Sequence, residues 1–595
     1  MRLLPGSLSG DRSSPPSWIR VAPGRVGLLL APLLALVALA LLPASPAAGP
    51  AGASTQLVEP VRAEQGMVVS DHWLASKVGR DVLGGGGNAV DAAIATGMAL
   101  AVTHPVAGNI GGGGFMVIRF PDGSTTALDF REKAPLAAHP RMWLDEDGEY
   151  SYEIHHDSHR AVGVPGTVAG FDKAHRLYGE LPWERLVYPA VRLAEEGFEL
   201  SDDLAASLGR LVERTPYPAT VEAFSRDGVP YEGGEMLTQP DLARTLDRIM
   251  LNRSDGFYRG ETARLLVEEM ERGDGLITAA DLELYQARER TPVLGTYRGH
   301  EIISMPPPSS GGIAMVEMLN ILEGFDLASM GHNTAPYIHH LAEAMRRAYR
   351  DRARYVADQD FADVPRHRLT SKDYAAELRS TIDPDRATPS SPSDLQTTYE
   401  SPQTTHYSVV DGDGLAVSVT YTLEQGYGSE IVVPGAGFLL NNEMGDFNAA
   451  PGLTNERGLI GTEPNLARPE QRMLSSMTPS IVARDGRLVA VVGTPGGRTI
   501  INTVMQVILN VVDWEMNIQQ AVNAPRLHHQ WLPDRIRIEA GGASEATVEQ
   551  LRAMGHTVEM GGRQGSANSI MIDPQSGERL GAPDPRSSDA GARGH

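Results

Sequence analysis

Residues 415–422 alternate strictly between two classes of side chain, and this alternation constrains the chain more than any other feature. Leu415, Val417, Val419 and Tyr421 fall on one face; Ala416, Ser418, Thr420 and Thr422 fall on the other. A period of two marks a β-strand, because successive Cβ atoms point to opposite sides of a sheet. Gly412-Asp413-Gly414 precedes it as a turn, and residues 407–411 supply the partner strand. Folding this hairpin about its turn sets Thr404 opposite Tyr421–Thr422, within one residue of register. Two threonines eighteen positions apart become neighbours.

The stretch before the hairpin is of the opposite kind. Residues 386–403 are dominated by Pro, Ser, Thr and Asp without periodicity. That is the composition of an exposed segment at which chains are nicked, and equally of an interdomain linker. A threonine hydroxyl is a weak nucleophile inside a chain, but as the first residue of a new chain it has its own α-amine as base. In Gln403-Thr404-Thr405-His406-Tyr407-Ser408, Thr404 stands where the loose segment meets the strand. Attack of its Oγ on the Gln403 carbonyl, then hydrolysis of the ester, would expose it. The same residues also read as an edge strand.

A chain of 595 residues exceeds one ordinary core, although a large layered domain accommodates it. The net charge of -23 argues against nucleic acid as a partner. The absence of cysteine removes thiol catalysis, disulfides and thiolate metal sites. Arg20 and Arg25 flank an uncharged apolar run, residues 26–42, followed by small residues to Ala53. This describes a secretory signal or an uncleaved anchor, and either puts the folded part outside the cytoplasm, periplasmic or extracellular. Asn88 caps an Ala-rich helix that is apolar on nearly every side and therefore buried. Strands are expected at 115–120 and 125–130, mainly helices over 166–270, and a strand at 301–304. A long helix at 338–356 should carry its charged residues on an outer face. A hairpin of 480–484 and 487–493 leads through Thr494-Pro495-Gly496-Gly497 into a helix at 499–512.

Several segments, in order, resemble the γ-glutamyltransferase (γ-glutamyl transpeptidase) family of N-terminal nucleophile hydrolases. They include residues 86–93, Gly111-Gly112-Gly113-Gly114-Phe115, Asp129-Phe130-Arg131-Glu132 and Thr404-Thr405-His406-Tyr407-Ser408. Residues 439–444, Leu474-Ser475-Ser476-Met477, Gly493-Thr494-Pro495-Gly496-Gly497 and residues 523–530 continue the series. The resemblance implies an α+β, four-layer αββα sandwich built from two chains after self-cleavage between Gln403 and Thr404. Residues 1–53 would be the signal or anchor, 54–403 the large subunit and 404–595 the small catalytic subunit of a heterodimer. By matching motif, Thr404 is the nucleophile, Thr422 orients it, and Gly496 and Gly497 offer N–H groups to the oxyanion. Arg131, Ser475 and Ser476 would hold the α-carboxylate of a γ-glutamyl substrate such as glutathione, and Glu443 and Asp446 its α-ammonium. Water, an amino acid or a dipeptide would accept the γ-glutamyl group. No metal or cofactor is implied.

The chain departs from the family pattern at two positions. Glu424 replaces an asparagine common in the family, so Glu424, Glu443 and Asp446 would face one ammonium, and one of the three should hold a proton or point away. Arg457 takes the place of an aromatic gate over the pocket, which favours water as acceptor. Two alternatives stay open: a glutaryl-type acylase on the same fold, and an uncut, inactive exported protein that binds γ-glutamyl peptides. His155, His156, Asp157 and His159 read as a polar loop rather than a metal site, and Ser309-Ser310 lacks nucleophile-elbow spacing.

Overall fold

The first two strands after the junction lie inside a sheet, flanked on both sides by strands from earlier in the chain. The computed structural model describes residues 59–391, 404–453 and 462–595. The signal or anchor segment, Gln403 and Arg457 lie outside them. In chain order the early strands are β1 (Val61–Ala63), β2 (Met67–Ser70), β3 (Gly113–Arg119), β4 (Thr125–Phe130), β5 (Arg288–Arg290), β6 (Val293–Tyr297) and β7 (His300–Ser304). After the junction come β8 (Thr405–Val410), β9 (Ala416–Thr422), β10 (Ser480–Arg484), β11 (Arg487–Val492), β12 (Ser569–Ile572), β13 (Arg579–Ala582) and β14 (Gly591–Gly594). One sheet has the order β14-β2-β8-β9-β3-β4-β5, the other β1-β13-β12-β11-β10-β7-β6. Every pairing within the two sheets is antiparallel.

The helices that matter for the site are α1 (Ala89–Thr103), α2 (Thr167–Tyr178), α3 (Trp183–Glu196), α4 (Gly311–Leu322), α5 (Ala335–Tyr355) and α6 (Thr499–Val512). Every residue of α1 is buried, as its composition requires, and Asn88 with Asp91 closes a capping box at its start. Val68, Met116, Tyr407, Val417, Val419 and Tyr421 of the first sheet pack with α1, with Phe171 of α2 and with Leu186 of α3. A second cluster joins Val69 and Val117 of that sheet to Ile481 and Val491 of the other, and to Ile313, Leu341 and Ile508 of α4, α5 and α6. The result is helices, sheet, sheet, helices: the αββα sandwich.

Both faces of β9 are therefore buried. Its small polar face meets the second sheet, where Ser418 Oγ donates to the Val492 carbonyl at 3.1 Å and Ser408 Oγ of β8 to the Asn568 carbonyl at 2.9 Å. Small side chains let the sheets approach, and hydroxyls bond to the backbone they meet.

Three expectations need correction. Most of the charged residues of α5 do not face outward: Glu343, Arg346, Arg347, Asp351 and Arg352 are buried, Arg350 is half-buried and Arg354 is exposed. They are affordable inside because they pair, as in Arg347 Nη1 to Glu343 Oε2 at 2.6 Å and Arg346 Nε to Glu343 Oε1 at 3.2 Å. The early part of the 386–403 segment is not loose either. Thr388 N donates to Glu343 Oε1 at 3.0 Å and Ser390 N to Asp534 Oδ2 at 2.7 Å, while Ala387 N reaches the Met554 carbonyl at 2.8 Å. Finally, His155 and His156 belong to a short helix, Tyr152–His156, and are buried rather than in a polar loop.

Burial leaves many histidines neutral. It pushes His72, His406, His528 and His556 down to about 3, and His156 and His529 down to about 4. A depressed folded-state pKa contributes stability that is complete above the unfolded value near 6.5 and is lost as pH falls. Glu132, Glu317 and Glu443, raised by burial, act in the opposite sense over this window but are fewer. Each such histidine costs about 1.4 kcal/mol per pH unit below its unfolded pKa. The thermal unfolding midpoint should fall steeply between pH 7 and pH 5, and a level midpoint across that range would rule out this account.

Candidate active site

Strands β8 and β9 pair with Thr405 opposite Tyr421, which sets Thr404 level with Thr422 at the end of the hairpin. A cavity opens at that end. Thr404, Thr422, Glu424, Gly497, Arg131, Glu443, Asp446, Ser475 and Ser476 line it, with Met477 and Ile500 completing the wall. Gly496 adjoins Gly497 at the wall. Ten residues expected from the sequence thus converge on one place, although they span positions 131 to 497.

Each arrives for a local reason. Thr404 precedes a strand whose start is locked by Asp71, just after β2. Thr405 Oγ1 donates to Asp71 Oδ2 at 2.8 Å, and Ser566 Oγ and Asn568 Nδ2 donate to Oδ1 at 2.6 and 2.9 Å. Asp71 is a residue that sequence reading missed, because nothing in Ser70-Asp71-His72 reveals a partner more than 300 positions away. Thr422 Oγ1 accepts from Glu424 N at 2.9 Å, so its own O–H is the group it can give. His406 lies two residues beyond Thr404, but its ring nitrogens engage Thr420 Oγ1 at 2.9 Å and Ser408 Oγ at 3.1 Å, and so it is no base for Thr404. Gly496 and Gly497 both take positive φ, +131° and +55°, directly before α6. A Cβ on Gly496 would lie 2.5 Å from Thr499 Oγ1, so glycine is required there. Helix N-termini favour developing negative charge.

Arg131 emerges from the end of β4 into a fully buried position. Its guanidinium pairs with Glu443 through Nη1 and with Asp446 through Nη2, while Nε donates to the Met473 carbonyl at 3.3 Å. Glu132 Oε2 is 3.7 Å from Nη1. Burial opposes the Arg131 charge, but the carboxylates of Glu443, Asp446 and Glu132 outweigh it and raise the pKa above its ordinary value. Burial likewise pushes Glu443 up to about 8 and Glu132 up to about 7, against the pull of Arg131. One member of the acidic group is therefore readily protonated, as the crowding of carboxylates requires. Glu424 is buried in a left-handed conformation, φ +81°, a costly state for a side chain other than glycine.

The loop carrying Glu443 and Asp446 is propped by the short helix before it. His155 Nε2 meets the Met444 carbonyl at 3.2 Å, and Asn442 Nδ2 donates to the His156 carbonyl at 3.0 Å. Ser475 and Ser476 are held by the turn that starts α4, where Ser309 pairs with Ser475 and Ser310 N donates to the Ser475 carbonyl at 2.8 Å. Arg352 of α5 touches both Ser310 and Ser476. Among the described residues, His339, Glu343 and His556 lie close enough to share a metal ion. Their donor atoms are already taken, His339 Nδ1 by His556 Nε2 at 2.8 Å and the Glu343 carboxylate by Arg346, Arg347 and Thr388.

Residues 75–594 match the family model described as Gamma-glutamyltranspeptidase. The chain belongs to this family. It is 49% identical over 553 residues to a glutathione hydrolase proenzyme of Escherichia coli (strain K12), covering 92% of this chain and 95% of that one. It is also 36% identical to an acylase ACY 1 proenzyme of Pseudomonas sp. (strain SE83), over 87% of this chain and 91% of the relative. Among solved structures, a cephalosporin acylase from Bacillus halodurans matches with a TM-score of 0.80 at 27% identity, covering 93% of this chain and 99% of that one. The Helicobacter pylori gamma-glutamyltranspeptidase matches with a TM-score of 0.53 at 44% identity, over 56% of this chain and 94% of that one.

Removing one partner of a buried ion cluster strands the others. Arg131→Met should therefore destabilise the protein by about 3–5 kcal/mol near pH 8. The loss should shrink toward pH 6, where Glu443 and Glu132 take up protons. Urea midpoints at the two pH values measure it. Equal losses at both would show that the carboxyls do not titrate as their surroundings dictate.

Proposed function

We infer that this protein is an autoprocessed γ-glutamyltransferase and glutathione hydrolase. The observation that carries the reading is the meeting of Thr404 with a buried guanidinium and two carboxylates in a single cavity. A glutamyl α-carbon bears one carboxylate and one ammonium. Arg131 would take the carboxylate, aided by Ser475 and Ser476, while Glu443 and Asp446 would take the ammonium. Binding then exchanges an internal ion pair for two ligand pairs, and no buried charge is left alone. A glutaryl amide brings no ammonium and would leave the acids without their cation, which disfavours the acylase alternative.

The chemistry is acyl transfer in two rounds. Thr404 Oγ first attacks the Gln403 carbonyl, the peptide bond becomes an ester, and water cleaves the ester to leave Thr404 with a free α-amine. That amine then takes the hydroxyl proton as Thr404 attacks the γ-carbonyl of the substrate. The oxyanion develops toward the N–H groups of Gly496 and Gly497, and the leaving amine, cysteinylglycine in the case of glutathione, departs with the proton. Water, an amino acid or a dipeptide resolves the γ-glutamyl ester. Residues 54–403 and 404–595 would be the two subunits. Export is supported by the basic and apolar residues 20–42; among the described residues no helix is long and apolar enough to cross a membrane.

Intact mass spectrometry of the wild type and of Thr404→Ala, with turnover of a γ-glutamyl anilide, tests this reading. Two chains divided between Gln403 and Thr404, one chain in the variant, and turnover only in the wild type are expected. One uncut chain in both, binding glutathione without turnover, would favour the binding-protein alternative.

A further inference from the structure

Arg352 lies near the C-terminal end of α5, buried, and outside the residues that line the cavity. Its fork nevertheless reaches both serines of the 475–476 pair, one directly and one through an intermediary. Nη2 donates to Ser476 Oγ at 3.0 Å, and Nε donates to Ser310 Oγ at 2.7 Å. Ser310 in turn gives its hydroxyl proton to the Ser475 carbonyl at 2.7 Å. A serine hydroxyl has a single proton to donate, whereas its oxygen can also accept. With one lone pair taken by Arg352, the Ser476 hydroxyl is oriented by a fixed cation behind it. Ser475 is oriented in a similar way, because its Oγ accepts from Met477 N at 3.1 Å. A carboxylate can only accept, so two adjacent hydroxyls whose oxygens are held from behind by fixed donors suit it.

We propose that Arg352 is a positioning residue for the α-carboxylate end of the substrate, acting through Ser310, Ser475 and Ser476 without touching the substrate itself. A guanidinium suits this task because its donors diverge in a fixed plane and its charge is constant. A lysine in its place offers a single ammonium that cannot hold both serines in the same geometry. The proposal rests on the reading of Ser475 and Ser476 as carboxylate donors. It is distinct from a purely structural role, in which Arg352 would simply fasten α5 to the start of α4, because only positioning discriminates between substrates with and without an α-carboxylate.

The test compares two anilides with the processed enzyme: γ-glutamyl-4-nitroanilide, and 4-aminobutyryl-4-nitroanilide, which has the same scissile amide and ammonium but no carboxylate. Losing the hydrogen bonds that organise a charged subsite should raise KM for the γ-glutamyl anilide about tenfold in Arg352→Gln, with kcat changed no more than about twofold. Arg352→Lys should fall between the wild type and Arg352→Gln. For the 4-aminobutyryl anilide, kcat/KM should stay within about twofold of the wild type in each variant. Equal losses on both substrates, or an unchanged KM, would overturn the proposal. If the Arg352 variants remain uncut, Ser310→Ala decides, since it removes only a hydroxyl: a KM rise of about threefold confined to the γ-glutamyl substrate supports the inference, and no rise overturns it. Ser476→Ala separates the two levels of argument. If it leaves the γ-glutamyl KM unchanged, the reading of the serine pair itself fails and the Arg352 proposal with it. If it raises KM while the Arg352 and Ser310 variants do not, the Arg352 proposal alone is overturned.

Discussion

Everything at this site depends on β8 and β9 being interior strands. On one side Ser408, Val409 and Val410 pair with Val69, Val68 and Met67 of β2; on the other, residues 416–422 pair along the whole of β3. A chain cut before Thr404 would lose one covalent bond and none of these pairings. Separating the pieces would mean stripping two strands from the middle of a sheet buried on both faces, which costs far more than local unfolding. Thr404 can therefore become a chain end without becoming a frayed end. The lock of Thr405 on Asp71 adds to this, because Asp71 belongs to the part of the chain before the junction.

That rigidity is combined with an electrostatic arrangement that is poor for stability taken alone. A guanidinium surrounded by Glu132, Glu443 and Asp446 in a dry site bears a desolvation cost that its ion pairs offset only in part. Apolar residues would pack there more favourably. The cluster makes sense when a zwitterion completes it, because the ligand brings one charge of each sign and the readily protonated Glu443 can adjust to the balance. On the proposed reading, this cluster serves a substrate end and not the scissile bond.

The parts of the fold that local pattern governs were legible. Strict alternation placed β9, the Asn88 cap placed the start of α1, and the Gly-Gly turn placed α6 at residue 499. Motifs picked out residues that line the cavity, and the hairpin independently brought Thr404 level with Thr422. What escaped was decided by distant partners. On α5, Glu343 with Arg346 and Arg347 at spacings of three and four residues reads as the solvent face of a helix. Only the packing of residues 388–390 and Asp534 against it turns that face inward. His155 and His156 escaped for the same reason: their role is to prop a loop nearly 300 positions further along. Asp71 and Arg352 carry no local signature at all, since each acts on side chains supplied by other layers.

Glu424 shows how closely the charge site and the nucleophile are joined. It lines the cavity, and its backbone N–H donates to the Thr422 hydroxyl oxygen at 2.9 Å. The left-handed φ of +81° at this residue sets the direction in which its side chain leaves the backbone, while the N–H itself is placed by residues 422 and 423. A glutamate in a conformation that favours glycine or asparagine is a cost accepted at one point of the site. In return, the residue that adds a third acid to the cavity also donates to the hydroxyl of Thr422, which stands level with Thr404. On the roles proposed above, residue 424 joins the recognition end of the site to the threonine that stands level with Thr404, so substitutions there should be read in both KM and kcat.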